Sequence, residues 1–349
     1  MRRRAVEEKP KTKRGWSAFA DHDEAGSCKS GPSIAANRIA ARAAGLALAV
    51  LLALLAPAGA GAEEAVRAPL AIRSLLLDGA ASGSRLVVVG ERGHILVSTD
   101  GGARWTQAKV PVRALLTAVH MHDERTGWAV GHDAAILRTR DGGETWTLLH
   151  RAPEEERPLL DVWFRDDRAG FAVGAYGYFL ATRDGGETWT SRTVGEDDFH
   201  LNALIPAAGK RRLYIAAEAG VVYRSDDGGG TWRKLSPPYA GSWFGGLALG
   251  EDEVLLAGLR GHLFRSGDAG ESWTRVPTGI AATLTGAVRL PSGRIAIVGL
   301  EGAVLVSADG GRSVTSRGLP SREGVSAALP LPDGGVLLIG EFGVRRLAD

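Results

Sequence analysis

An eight-residue phrase, [ST]-x-D-x-G-x-x-W, returns through this chain at a nearly constant interval. It stands as Ser98–Trp105, Thr139–Trp146, Thr182–Trp189, Ser225–Trp232 and Ser266–Trp273; a sixth copy, Ser307–Val314, has lost its Trp. The box aspartates are Asp100, Asp141, Asp184, Asp227, Asp268 and Asp309, in steps of 41, 43, 43, 41 and 41 residues. A period of about 40–45 residues is that of one four-stranded propeller blade. Boxes so far apart fall on different blades, so their carboxylates cannot converge on one metal or one substrate. The aspartates and the Trp residues that close the boxes (Trp105, Trp146, Trp189, Trp232 and Trp273) therefore read as structural. The glycines permit a tight reversal. The carboxylate accepts N–H groups of its own turn, and the indole offers an apolar face to the next blade.

The units between boxes share one order of elements. In the second, Leu115–Met121 reads as a first strand, Gly127–Val130 as a second, Ala135–Thr139 as a third and Trp146–His150 as a fourth. Short β-branched or aromatic runs between Gly-rich turns argue for strands over helices. The seventh unit begins near Gly324 and reaches Asp349 after its third strand, while Glu63–Pro69 is surplus ahead of the first. The expected fold is an all-β, seven-bladed propeller of four-stranded blades over residues 63–349. The surplus N-terminal strand would complete the last blade and leave no open sheet edge.

Composition narrows the function classes. The chain has a formal net charge of +2, but its front 62 residues hold 10 Lys+Arg against 5 Asp+Glu, so the propeller itself is slightly acidic. That gives no electrostatic footprint for nucleic acid. The one cysteine, Cys28, lies in the front segment, which excludes disulfides and thiolate metal sites from the propeller. Arg38 and Arg42 precede the apolar run Ala43–Ala56 and an A-x-A ending at Ala62. Residues 38–62 thus read as a secretory signal, too short to span a bilayer. Residues 1–37, polar and without periodicity, read as a disordered or mis-started extension. The expected location is outside the cytoplasm, in a periplasm or, in a phototroph, the thylakoid lumen.

In a propeller, the turns joining second and third strands ring one mouth of the central channel, opposite the boxes. Unlike the boxes they differ in every blade, and varied tips on a fixed scaffold make a binding surface. The candidate partner-binding residues there are Glu91, Arg92, His132, Asp133, Tyr176, Glu218, Arg260, Glu301 and Phe342. Trp243 and Phe244, on the long connection before the fifth unit, are added as aromatic anchors, with cover for the blade four–five seam as their alternative role. Glu154–Glu156 reads as a solvated charge run. His120, His122 and His132 straddle a strand and its turns, so no metal site is assigned. No cofactor motif stands in a suitable context.

The longer repeat, Val/Ala-Gly-x-x-Gly-x-Ile/Leu-x-x-[ST]-x-Asp-Gly-Gly-x-x-Trp, stands as Val89–Trp105, Val173–Trp189 and, with variations, Ala257–Trp273. This pattern resembles the BNR/Asp-box repeat proteins, which include sialidases. In its longer form it is similar to the photosystem II stability/assembly factor family over essentially all of residues 63–349. That resemblance implies a non-enzymatic, monomeric scaffold, at most peripheral to the membrane, whose protein partner is a subunit of a membrane complex. A periplasmic accessory protein of a transport system is the alternative scaffold reading. A sialidase-like hydrolase would need an arginine cluster with a Tyr–Glu pair. Tyr176, Glu218, Asp133, Arg92 and Arg260 offer the residue types, but Ile72-Arg73-Ser74 lacks the Pro of the sialidase Arg-Ile-Pro stretch. No catalytic residue is assigned.

Overall fold

The computed structural model describes residues 63–347. The proposed extension 1–37 and signal segment 38–62 lie outside the described residues. Seven antiparallel sheets are present, six of four strands and one of three. In the second blade the strands are Leu116–Met121, Gly127–Gly131, Ile136–Thr139 and Thr147–His150, each beside the next. The only helical turns among the described residues are five 3-10 segments of three residues each.

The second strand of a blade has both faces covered by neighbouring blades. Its sequence is accordingly a continuous apolar run rather than an alternating one. Gly170–Gly174, Val254–Gly258 and Val336–Gly340 are buried at every position. The core is consequently divided into seven seams, one per pair of adjacent blades. At the seam between blades two and three, Trp128 stacks on Phe164 with ring centroids 3.5 Å apart. The ring closes where Leu329, Leu331, Leu337 and Ile339 of blade seven pack on Leu76, Leu86, Val88 and Leu96 of blade one.

Residues 63–69 form no strand, and the seventh sheet ends at Gly343–Arg346. The segment's hydrogen bonds run to blade one: Ala65 N–H donates to Val110 O at 2.9 Å and Ala68 N–H to Gln107 Oε1 at 2.8 Å. Ala65 packs on the cluster that holds Val110 and Val112. Blades seven and one of the described residues are in side-chain contact along their seam.

Each box is a small closed network. Ser98 Oγ donates to Asp100 Oδ1 at 2.9 Å and accepts the N–H of Gly102 at 2.8 Å. Asp100 Oδ1 also accepts the N–H of Arg104 at 2.9 Å. Where a hydroxyl precedes the Trp it takes the second carboxylate oxygen, as Thr188 does with Asp184 Oδ2 at 2.6 Å. These donors hold Asp184, Asp227 and Asp268 down at about 2. The sixth box keeps every bond around Asp309 although Val314 replaces the Trp. The turn network is thus independent of the indole, which serves the seam.

Candidate partner-binding mouth of the channel

The seven turns between second and third strands are all tied down in the same way. The first turn N–H donates to the carbonyl just ahead of its blade's inner strand. Glu91 bonds Leu75, His132 bonds Leu115, Ala175 bonds Pro158 and Glu218 bonds His200. Leu259 bonds Ser242, Leu300 bonds Thr283 and Glu341 bonds Gly324, the whole set spanning 2.8–3.2 Å. Turns and inter-blade connections therefore share one face. The boxes bond at the far end of the inner strands, with Gly142 N–H to Arg125 O and Gly228 N–H to Arg211 O, both at 2.8 Å.

In six blades the next residue of the turn is left-handed without being glycine. Its φ is 55° at Arg92, 60° at Asp133, 55° at Tyr176, 53° at Ala219, 54° at Arg260 and 54° at Glu301. That conformation costs an L-residue on the order of 1 kcal/mol or more, which glycine would avoid. The scaffold nonetheless carries a side chain at this rim position in each case. The seventh turn departs from the pattern. Gly340 pairs directly with Gly343, leaving Glu341-Phe342 as a two-residue hairpin loop. Phe342 then lies beneath the Arg345 guanidinium, 4.2 Å from ring centroid to Cζ.

The rim residues differ in what holds them. Arg151 pairs with Asp133 at 2.7 Å and Arg322 with Glu301 at 2.5 Å. Glu218 accepts the backbone N–H of His200 at 3.0 Å and stands 3.4 Å from its Nδ1. Tyr176 meets the same imidazole edge-on, with centroids 4.8 Å apart. His200 thus lies against both members of the Tyr–Glu pair that a sialidase would use. Arg92 and Arg260 stand on blades one and five, so the turns assemble no arginine clamp. His132, Arg92 and Arg260 project as exposed side chains, and Glu91 is half-buried.

The aromatic anchors separate. Phe244 is 36% exposed, whereas its neighbour Trp243 is fully buried. Trp243 packs at the blade four–five seam against Tyr239 and Phe264, so it belongs to the core and not to the mouth. The register shift between Trp243 and Gly245 leaves Phe244 unpaired at the bulge, so Trp243 enters the seam while its neighbour faces the channel. Phe244 instead lines the channel with the inner strands of all seven blades, a cavity of about 360 Å³.

The rim carries both signs. Arg151 and Arg157 pair with Asp133 and Glu155 on one side, and Arg322 and Arg345 pair with Glu301 and Glu323 on the other. His120, by contrast, is buried in the body. Desolvation pulls its imidazole down to about 4, and its Nε2 has no hydrogen-bond partner. Among the described residues no group of three or more His, Cys, Asp or Glu side chains is arranged to hold a metal ion. Two channel residues that sequence reasoning passed over are Asp78 and Asp161. Their signal was a lone carboxylate in each of two otherwise apolar inner strands, Leu75-Leu-Leu-Asp78 and Leu159-Leu-Asp161-Val.

Comparison with known proteins places this geometry. The model of the photosynthesis system II assembly factor YCF48 family matches residues 67–153 and 152–314. The chain is 36% identical over 80 residues to the chloroplastic photosystem II stability/assembly factor HCF136 of Cyanidioschyzon merolae, covering 21% of this chain and 18% of that protein. A solved structure of YCF48 bound to D1 peptide superposes with a TM-score of 0.66 at 17% identity, covering 82% of this chain and 97% of that one. A streptogramin B lyase superposes with a TM-score of 0.68 at 13% identity, covering 82% and 96%. Identities this low show a shared propeller fold alone.

Proposed function

Because the chain belongs to the photosynthesis system II assembly factor YCF48 family, we propose that it is a non-enzymatic, protein-binding assembly factor that docks its partner on the mouth of the channel. The partner in this reading is a segment of a subunit of a membrane-associated complex. The protein acts outside the cytoplasm, as the apolar run Ala43–Ala56 and its A-x-A end suggest. It works as a monomer, at the membrane surface at most. No helix among the described residues is long and apolar enough to cross a bilayer.

One observation supports the choice of face. Among the described residues the exposed large apolar side chains are Val66, Leu70, Tyr176, Phe244 and Leu300. Tyr176 at 57% and Leu300 at 45% stand at the mouth and Phe244 lines the channel it opens into, on three different blades. Exposed apolar groups collected on a polar rim of mixed charge mark a protein-docking surface. The solved YCF48 structure is of that protein bound to D1 peptide, which favours the same class of ligand here.

The test is affinity capture of membrane-complex subunits by the parent chain and by a Tyr176→Ala/Phe244→Ala double variant. Neither ring is a core residue, so the variant is expected to melt like the parent and to lose the captured subunit. Capture unchanged in the variant would move the docking site off this face. Turnover of a fluorogenic sialoside, abolished by Tyr176→Phe, would replace the reading with a hydrolase.

A further inference from the structure

The inner strand of each blade is a sheet edge that faces the channel, and an edge has N–H and C=O groups without sheet partners. Every inner strand is bulged at the same place, with register shifts at Leu76/Asp78, Leu116/Ala118, Leu201/Ala203, Trp243/Gly245, Leu284/Gly286 and Val325/Ala327, and opposite Val173/Gly174 in blade three. Side chains at the bulge reach the edge of the following blade. Thr117 Oγ donates to Leu159 O at 2.8 Å, Asn202 Nδ2 to Trp243 O at 2.8 Å and Thr285 Oγ to Val325 O at 2.9 Å. Two further junctions are stapled by an acceptor instead. Asp78 Oδ2 takes the Val119 N–H at 2.9 Å, joining blades one and two. Asp161 Oδ2 takes the Leu204 N–H at 2.7 Å, joining blades three and four, while its Oδ1 takes the Val162 N–H.

We propose that these two carboxylates make the channel wall a proton-sensitive lock. The blade one–two and three–four junctions hold tightest while the carboxyl groups carry protons, and they are strained when both are ionised. The geometry supports this in two ways. Of the side chains that line the channel, Asp78 and Asp161 are the only titratable ones, so no cation in it offsets them. Both groups are half-buried in the channel wall, each bonded across a blade junction.

Desolvation pushes Asp78 up to about 6, against the pull of its backbone donors. Desolvation, with the negative charge of Asp78 as a smaller contribution, pushes Asp161 up to about 7. Folding therefore favours the protonated forms. Their stabilisation is complete below the ordinary Asp value of 3.8 and is lost as pH rises through 6 to 7. The remaining titratable group on an inner strand packed against them is His120 of blade two. The charges acting on it are His122 and Lys210, and burial keeps it neutral. With His94 and His150, also lowered by burial, it acts in the opposite sense on acidification. The lock is therefore read as a difference between variants.

The experiment uses the full chain with Asp78→Asn and Asp161→Asn, singly and together. Asn keeps an oxygen for the backbone N–H and cannot ionise. The urea midpoint of the parent, relative to that of the double variant, should fall between about pH 4 and 7, with Asp161→Asn alone removing more of the fall than Asp78→Asn. Parallel pH profiles for parent and double variant would overturn the proposal. If the variants do not fold, ¹³C-carboxyl titration of the Asp-labelled parent decides. Two signals moving between pH 5 and 8 support the lock. All Asp signals titrating below 4.5, as in unperturbed or box-type carboxylates, would refute it.

Discussion

At the scale of single residues, two positions in each of the first six blades carry opposite demands. The box Ser or Thr is a small polar group with no freedom. Ser225 is 1% exposed, donates to Asp227 Oδ1 at 2.8 Å and accepts the Gly229 N–H at 2.8 Å. Ser225→Ala removes both bonds and leaves a buried N–H without a partner. The expected loss is about 1–3 kcal/mol, measured by urea denaturation. The rim residue one strand earlier is free to vary and strained. Arg260 at φ 54° makes no ion pair among the described residues. Arg260→Gly should relieve about 1 kcal/mol or more of backbone strain, offset in part by the roughly 0.4–1 kcal/mol that glycine's freedom adds to the unfolded state. Stability is expected to hold or rise, and a large loss would show that the Arg260 side chain is structural.

At the scale of strands and turns, the repeat made most of the fold legible. Boxes gave the third turn of each blade, and the Gly-rich pairs gave the second. Strand bounds in blade two fell within a residue of those expected. Three features stayed hidden for physical reasons. Which of Trp243 and Phe244 faces solvent depends on the bulge between Trp243 and Gly245, and a bulge leaves no mark in a six-residue strand. The shortened hairpin at Glu341-Phe342 keeps both glycines of the motif, so its tighter pairing is invisible in sequence. Asp78 and Asp161 are noticeable only once the inner strands are known to be edges that face one another. The blade five–six junction shows how close those edges run. A Cβ on Gly245 would stand 2.5 Å from Thr285 O, with no bond there to lose. Gly245→Val should wedge this junction and cost about 1–3 kcal/mol by overpacking, occasionally more. A thermal melt unchanged by that substitution would mean the seam yields freely.

At the scale of the whole ring, the carboxylates fall into two populations with opposite signs. Below pH 3.8 the channel pair is protonated in folded and unfolded chains alike, so it no longer contributes to the pH slope. The lowered histidines are charged in the unfolded chain and add proton uptake on unfolding wherever the fold keeps them neutral, equally in the parent and in box variants. What remains on the acid side is dominated by lowered carboxylates, and the box aspartates are the population repeated around the ring. Asp184, Asp227 and Asp268, held at about 2, stabilise the fold above 3.8 and surrender that stability as pH falls through 2. Near pH 3 an unfolded Asp is mostly protonated and a folded box Asp mostly ionised, so each box accounts for about one proton taken up on unfolding. Blades that pack only on their neighbours share the consequence. The acid transition should be steep, and Asp184→Asn should reduce the proton uptake in the acid limb by about one, measured from the slope of stability against pH. The same substitution should leave the slope between pH 5 and 7 unaltered, because that limb is assigned to Asp78 and Asp161 on the opposite edge of the sheets. A box variant that flattened the neutral limb would dissolve the division between box turns that anchor each blade and channel groups that join one blade to the next.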